Sequence, residues 1–65
     1  MLRNYTIMIA AGNAMPMYVH ATVEEAEGEN DLITKWVAQR ENRAAYFTYP
    51  NGRLLMHYII GVFRN

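Results

Sequence analysis

The fold of this chain depends most on one apolar stretch near its C-terminus, Leu54-Leu55-Met56-His57-Tyr58-Ile59-Ile60-Gly61-Val62-Phe63. Only a histidine ring and a tyrosine hydroxyl bring polarity to it. The turn signal Pro50-Asn51-Gly52 stands directly before it. A run this rich in β-branched and aromatic residues is typical of a strand that is buried on both faces. We therefore expect one long strand over residues 54–63.

Both faces of this strand are apolar, because alternate side chains of a strand point to opposite faces. One short helix cannot cover two faces, and a large bare apolar patch usually marks an interface. We expect the chain's own core to use the first face, Leu54, Met56, Tyr58, Ile60 and Val62. We expect a second subunit or a partner to cover the other face, with an oligomer interface formed by Leu55, His57, Ile59 and Phe63 beside Gly61.

Two earlier segments predict strands that pair as a hairpin. Residues 4–11 carry Tyr5, Ile7 and Ile9 on one face. Residues 17–23 alternate between apolar and polar side chains, as a half-buried strand does. The turn signal Gly12-Asn13 follows the first of them.

The middle of the chain predicts one helix. Asn30 and Asp31 are both suitable N-caps, and the helix should run to about Glu41, with Asn42 as its C-terminal stop. Its apolar stripe consists of Leu32, Ile33, Trp36 and Val37.

A third strand is expected over residues 44–49, and a tight turn joins it to the last strand. In one geometry Pro50 and Asn51 form the centre of a type I turn and Gly52 follows in a left-handed conformation. In the other, Asn51 and Gly52 form a two-residue loop. The two geometries differ by one position in strand pairing.

These elements predict a single α+β domain over residues 1–65 with the order β-β-α-β-β. The simplest packing is a four-stranded antiparallel sheet with one helix on one face. A small Sm-like or partly open β-barrel is the alternative if the last strand bends at Gly61.

The size of the chain favours self-association. A domain of 65 residues buries only about 60% of the surface of its unfolded chain and is marginally stable alone. Because the sequence contains no Cys, disulfides cannot add stability, and a dimer or higher homo-oligomer is the natural solution. The absence of Cys also favours a cytoplasmic location. No segment reaches the ~20 apolar residues that span a bilayer, so no membrane partner is expected.

The charges argue against nucleic acid as a partner. The net charge is zero, whereas domains that bind a duplex usually present a basic face. Five of the six acidic residues lie between Glu24 and Asp31. This acidic run lacks the ligand pattern of a calcium loop and is better suited to docking a basic protein partner.

The sequence offers little to catalysis. It contains neither Cys nor Ser, and its four Gly are dispersed, so neither a common nucleophile nor a phosphate loop is present. His20 and His57 would make an incomplete metal site even if they met. We therefore expect no enzymatic activity, no metal and no cofactor.

Two functional hypotheses follow. The first is a homo-oligomeric interaction module that binds and inhibits or scaffolds a larger protein, as many small phage or mobile-element proteins do. Its partner-binding residues would be Glu24, Glu25, Glu27, Tyr49 and Arg53. The second is an oligomer that sequesters a small anion, most plausibly a nucleotide, at subunit junctions. Its ligand-binding residues would be Arg43, Tyr46, Tyr49, Arg53 and His57.

Overall fold

A computed structural model describes residues 1–12, 15–26, 28 and 30–65. The expected α+β class is confirmed, with one helix and five strands in the described residues. The elements in chain order are β1 (Leu2–Ile9), β2 (Met17–Glu24), α1 (Leu32–Glu41), β3 (Tyr46–Tyr49), β4 (Gly52–Leu55), a 3₁₀ turn (Met56–Tyr58) and β5 (Ile59–Arg64).

The central element is β1, which pairs antiparallel with β2 on one side and with β5 on the other. The predicted hairpin of the first two strands is confirmed, with Tyr5 opposite Ala21 and Ile7 opposite Val19. Tyr5 and Ile7 are fully buried. The alternation read from the sequence therefore orients β1 correctly.

The prediction of one long strand over residues 54–63 is wrong. The run is interrupted by the 3₁₀ turn, and β5 contains a bulge, since Met8 pairs with Gly61 while Ile9 pairs with Ile59. Ile60 is the additional residue of that bulge. Each irregularity shifts the side-chain alternation, so a strict period of two no longer applies. The residues of the run that pack into the core are Leu54, Met56, Ile59 and Val62.

The expected division of this run into two faces is corrected in the same way. Ile59, expected on the uncovered face, is 8% exposed and lies in the chain's own core. Ile60, expected in the core, is 54% exposed. Leu55 is half-buried, whereas Phe63 is exposed as expected.

The expected four-stranded sheet is also wrong, because β3 and β4 form a separate two-stranded sheet. Their turn has Pro50 and Asn51 at its centre, with Tyr49 opposite Gly52, which excludes the Asn51-Gly52 loop. The strands form two sheets instead of the alternative barrel, and the chain turns at residues 56–58, before Gly61.

The helix follows the prediction closely. Asp31 is the N-cap, its carboxylate accepts the Thr34 backbone N–H at 2.8 Å, and Asn42 is the C-cap. Leu32 is buried, while Ile33 and Trp36 are half-buried against the core. Val37, the fourth residue of the predicted stripe, is exposed instead.

The core lies between two layers. The three-stranded sheet contributes most of it, and α1 and the β3–β4 hairpin both pack on the same face of that sheet. The buried apolar residues are Tyr5, Ile7, Ala21, Val23, Leu32, Phe47, Ile59 and Val62. Within the described residues nothing covers the opposite face of the sheet, which we call the outer face.

Removal of the helix cap should destabilise the domain in a pH-dependent way. We expect Asp31→Ala to lower the free energy of unfolding by about 1 kcal/mol at pH 7. The hydrogen bonds from Thr34 hold the pKa of the Asp31 carboxyl below its usual range. A depressed folded-state pKa adds stability above the unfolded-state pKa, and this stability is lost as the pH falls through the folded-state pKa.

Urea unfolding of the wild type, Asp31→Ala and Asp31→Asn at pH 7 and below about pH 4 would check this. Asp31→Asn is the matched control, because asparagine also caps but does not titrate. A stability difference between wild type and Asp31→Asn that does not narrow in acid would contradict the assignment.

Candidate functional site

The outer face carries a contiguous apolar patch at one end. Met8 lies between Tyr18 on β2 and Gly61 on β5 in the sheet register. The Phe63 ring lies directly on Gly61, because a Cβ added there would be 2.7 Å from Phe63 Cζ. Tyr18 is 60% exposed and Phe63 50%. We call Met8, Tyr18 and Phe63 the outer patch.

The other end of the outer face is polar. Thr22 Oγ1 donates a hydrogen bond to Asn4 Oδ1 at 2.9 Å, and Thr6 Oγ1 donates one to Asn65 Oδ1 at 3.0 Å. His20 Nδ1 lies 3.4 Å from Thr6 Oγ1. The outer face therefore joins an apolar region to a hydrogen-bonding region.

Among the described residues, no strand pairs with the outer edge of β2. The Glu25 N–H donates to the Met1 carbonyl at 3.0 Å, and Leu2 lies opposite Glu24. Because residues of an antiparallel strand alternate in the side to which they hydrogen-bond, the odd-numbered residues of β2 bond to β1. The even-numbered residues direct their N–H and C=O groups away from the sheet, and they are Tyr18, His20, Thr22 and Glu24.

Two of the acidic residues expected at a partner surface, Glu24 and Glu25, lie in the described part of the chain. Glu24 is exposed, but Glu25 is only 3% exposed. The Tyr5 hydroxyl donates to Glu25 Oε1 at 2.6 Å, and Arg3 Nε lies 3.3 Å from the same oxygen. The prediction that Glu25 contacts a partner is therefore wrong, because it closes one end of the core. Glu27 lies outside the described residues.

Burial and the hydrogen bond to Glu25 raise the pKa of the Tyr5 phenol. The phenol therefore stays a hydrogen-bond donor to the carboxylate over the physiological pH range. This buried pair ties β1 to the segment after β2 and has a structural role.

The aromatic residues of the β3–β4 hairpin divide between core and surface. Tyr49 is half-buried and stacks on Phe47, with ring centroids 5.8 Å apart. The Arg53 guanidinium lies 4.7 Å from the centroid of the exposed Tyr46 ring. Arg53 therefore forms a cation–π contact with Tyr46, and the two side chains make an exposed pair on the hairpin.

The two histidines lie on different elements. His20 is on the outer face of β2, whereas His57 is in the 3₁₀ turn. The His57 ring packs edge to face against the Tyr58 ring, with the two ring centroids 4.3 Å apart. Across the described residues, no three His, Asp or Glu side chains gather in a way that could hold a metal ion.

A cavity of about 570 Å³ opens where the end of α1, the segment between α1 and β3, the 3₁₀ turn and β5 meet. Its apolar lining includes Trp36, Met56 and Ile60. Its basic lining consists of Arg40, Arg43 and His57. We call it the helix-end cavity.

Only two of the five predicted ligand-binding residues, Arg43 and His57, line the helix-end cavity. Tyr46, Tyr49 and Arg53 lie on the hairpin outside it. Sequence reasoning missed Trp36 and Arg40 as cavity residues. Their i,i+4 spacing was the available signal in the sequence, because it places both side chains on one side of a helix. In the structure the Arg40 guanidinium lies 5.6 Å from the centroid of the Trp36 indole.

No protein-family model, curated protein or solved structure matches the chain. No helix in the described part of the chain is both long and apolar enough to cross a membrane.

The structure offers two candidate sites. One is the outer face with the β2 edge, and the other is the helix-end cavity.

Two adjacent glutamates should differ sharply in their effect on stability. We expect Glu25→Ala to lower the free energy of unfolding by about 1–3 kcal/mol, because it leaves the buried Tyr5 hydroxyl without its acceptor. Glu24→Ala is the matched control and should cost under about 0.5 kcal/mol, as exposed substitutions usually do. Chemical denaturation of both variants at pH 7 is the measurement, and equal losses would contradict a structural role for Glu25.

Proposed function

We propose that this protein is a small non-enzymatic interaction module that self-associates and presents its outer face to a larger protein. The observation that carries the proposal is the uncovered outer face, whose apolar patch adjoins an unpaired strand edge. Both features are typical of surfaces that proteins use to bind one another. The lack of Cys and Ser in the sequence supports a binding role over a catalytic one.

The free edge of β2 is suited to a second copy of the chain. Natural edge strands are usually protected by Lys, Pro or a bulge. Met17–Glu24 contains neither Lys nor Pro, and it pairs with β1 in an unbroken register. Antiparallel pairing of two β2 edges would join two three-stranded sheets into one sheet with a common outer face.

Symmetry restricts the register of that pairing. Residues that lie opposite one another must point to the same face, so even-numbered residues meet even-numbered ones. With Ala21 at the two-fold axis, His20 lies opposite Thr22 of the second copy and Tyr18 lies opposite Glu24. The even-numbered residues then form about eight backbone hydrogen bonds between the copies.

This register avoids unfavourable pairs. Of the two neighbouring registers, the one with His20 at the axis would place the two imidazoles directly opposite each other. The one with Thr22 at the axis would pair only His20, Thr22 and Glu24 and form about six backbone hydrogen bonds. With Ala21 at the axis, Glu24 meets the Tyr18 ring, so no like charges face each other. The proposed dimer therefore has Ala21 at its axis and repeats the outer patch on both halves of one continuous face.

The proposed dimer is tested by a proline substitution that should leave the fold of the monomer intact. Thr22→Pro removes an N–H that points away from β1, and proline is tolerated on edge strands in that orientation. We expect the wild type to run at twice the chain mass of 7.5 kDa in size-exclusion chromatography with light scattering at about 100 μM, a typical concentration for weak dimers. Thr22→Pro should run as a folded monomer, and Thr22→Val should remain a dimer.

The register is tested by a charge exchange that does not rely on proline. Tyr18→Glu places two carboxylates opposite each other in each half of the interface and should weaken the dimer about tenfold or more. Adding Glu24→Lys should restore it. A monomeric wild type, or a double variant no tighter than Tyr18→Glu, would overturn the proposed dimer.

Partner binding by the outer patch is tested with two exposed aromatic residues. Phe63→Ser changes the outer patch, whereas Tyr46→Ser changes the hairpin and serves as the matched control. Cross-linking in the host should capture the same protein with wild type and Tyr46→Ser, and at least about tenfold less of it with Phe63→Ser. Equal capture by all three, or no capture by the wild type, would contradict a docking role for this face.

A further inference from the structure

The helix-end cavity combines two kinds of surface that a ring-bearing anion requires. Its apolar wall contains the Trp36 indole and the exposed Ile60 side chain, and its basic wall contains two arginines and one histidine. Among the described residues, no Asp or Glu lines it. Its volume of about 570 Å³ falls in the range of about 300–1,000 Å³ that is usual for small-molecule sites.

The backbone of Arg43 supports a role for its side chain. Arg43 has a φ of +57°, the left-handed conformation that follows many helices and is usually occupied by Gly. Its N–H donates to the Arg40 carbonyl at 3.0 Å, which holds the conformation in place. A side chain in this conformation costs on the order of 1 kcal/mol relative to Gly. Such a strained position, at the wall of a basic cavity, points to a functional side chain.

The cationic character of the cavity is not neutralised by the chain. In the described residues neither Arg40 nor Arg43 forms a salt bridge. The helix dipole places the equivalent of about half a negative charge at the C-terminal end of α1, and this charge repels an anion. The two positive charges of the guanidinium groups exceed that partial negative charge, so the net charge around the cavity is positive and favours an anion.

We propose that the helix-end cavity binds a mononucleotide, with the phosphate held by Arg40 and Arg43 and the base against Trp36 and Ile60. Guanidinium groups match phosphate geometry, and the Trp36 indole and the Ile60 side chain offer apolar surface to a base. The cavity lies beside β5, whereas the self-association edge is β2, on the opposite side of β1. The site is therefore separate from the edge used in the proposed dimer, whereas Phe63 of the outer patch shares β5 with Ile60 of the cavity.

The sole tryptophan reports binding directly, because Trp36 lines the cavity. We expect AMP to quench Trp36 fluorescence with a sub-millimolar Kd, a range typical of small unspecialised sites. Adenosine and inorganic phosphate should each bind at least about tenfold more weakly, since each satisfies only one wall. No quenching by AMP at millimolar concentration, or equal binding of all three probes, would overturn the proposal.

A substitution with opposite effects on stability and binding sharpens the test. Arg43→Gly should weaken AMP binding about tenfold or more and raise the melting temperature, because it removes both the cation and the backbone strain. Arg43→Asn should also weaken binding while tolerating the left-handed conformation. Arg53→Ala, an arginine outside the cavity, is the matched control and should leave AMP affinity unchanged.

Unchanged affinity in both Arg43 variants, or an equal loss in Arg53→Ala, would overturn the site. The melting temperature separates binding from folding, because a variant that lost affinity through unfolding would melt earlier than wild type.

Discussion

The constraint on which this structure depends is that a small chain can cover only one face of its sheet. The helix spans ten residues, about 15 Å, and is ~10 Å across, which is too small to cover three strands alone. The β3–β4 hairpin supplies the missing cover, and Phe47 is its fully buried contribution to the core. With both elements on the same side, none of the described chain is left to cover the outer face.

The C-terminal run makes this arrangement possible by not being one strand. Had residues 54–63 formed a single strand, the hairpin would have extended the central sheet. The 3₁₀ turn Met56–Tyr58 instead separates the hairpin from β5, so β5 can pair with β1 while the hairpin lies over the core. The same turn forms part of the helix-end cavity, which Met56 and His57 help to line. One break in the chain therefore determines both the cover of the core and the shape of the cavity.

The two candidate sites lie on separate parts of the molecule and differ in chemistry. The β2 edge and the outer patch present backbone polar groups and apolar side chains, which suit another protein surface. The helix-end cavity presents guanidinium groups and an indole, which suit a small anion. Since β2 and β5 are on opposite sides of β1, occupation of the helix-end cavity need not block pairing at the β2 edge.

The sequence by itself determined the local elements. The alternation around Tyr5 and Ile7 specified β1, the carboxylate of Asp31 specified the start of α1, and Pro50 and Asn51 specified a turn, because each signal acts over a few neighbouring residues. The burial of Glu25, the exposure of Ile60 and the presence of Trp36 and His57 in the lining of one cavity followed only from the tertiary structure. An apolar run does not reveal where it breaks, because the break reflects what packs against it. A bulge then reverses the faces of all later residues, so the sequence identified the apolar residues and the packing decided which of them became core.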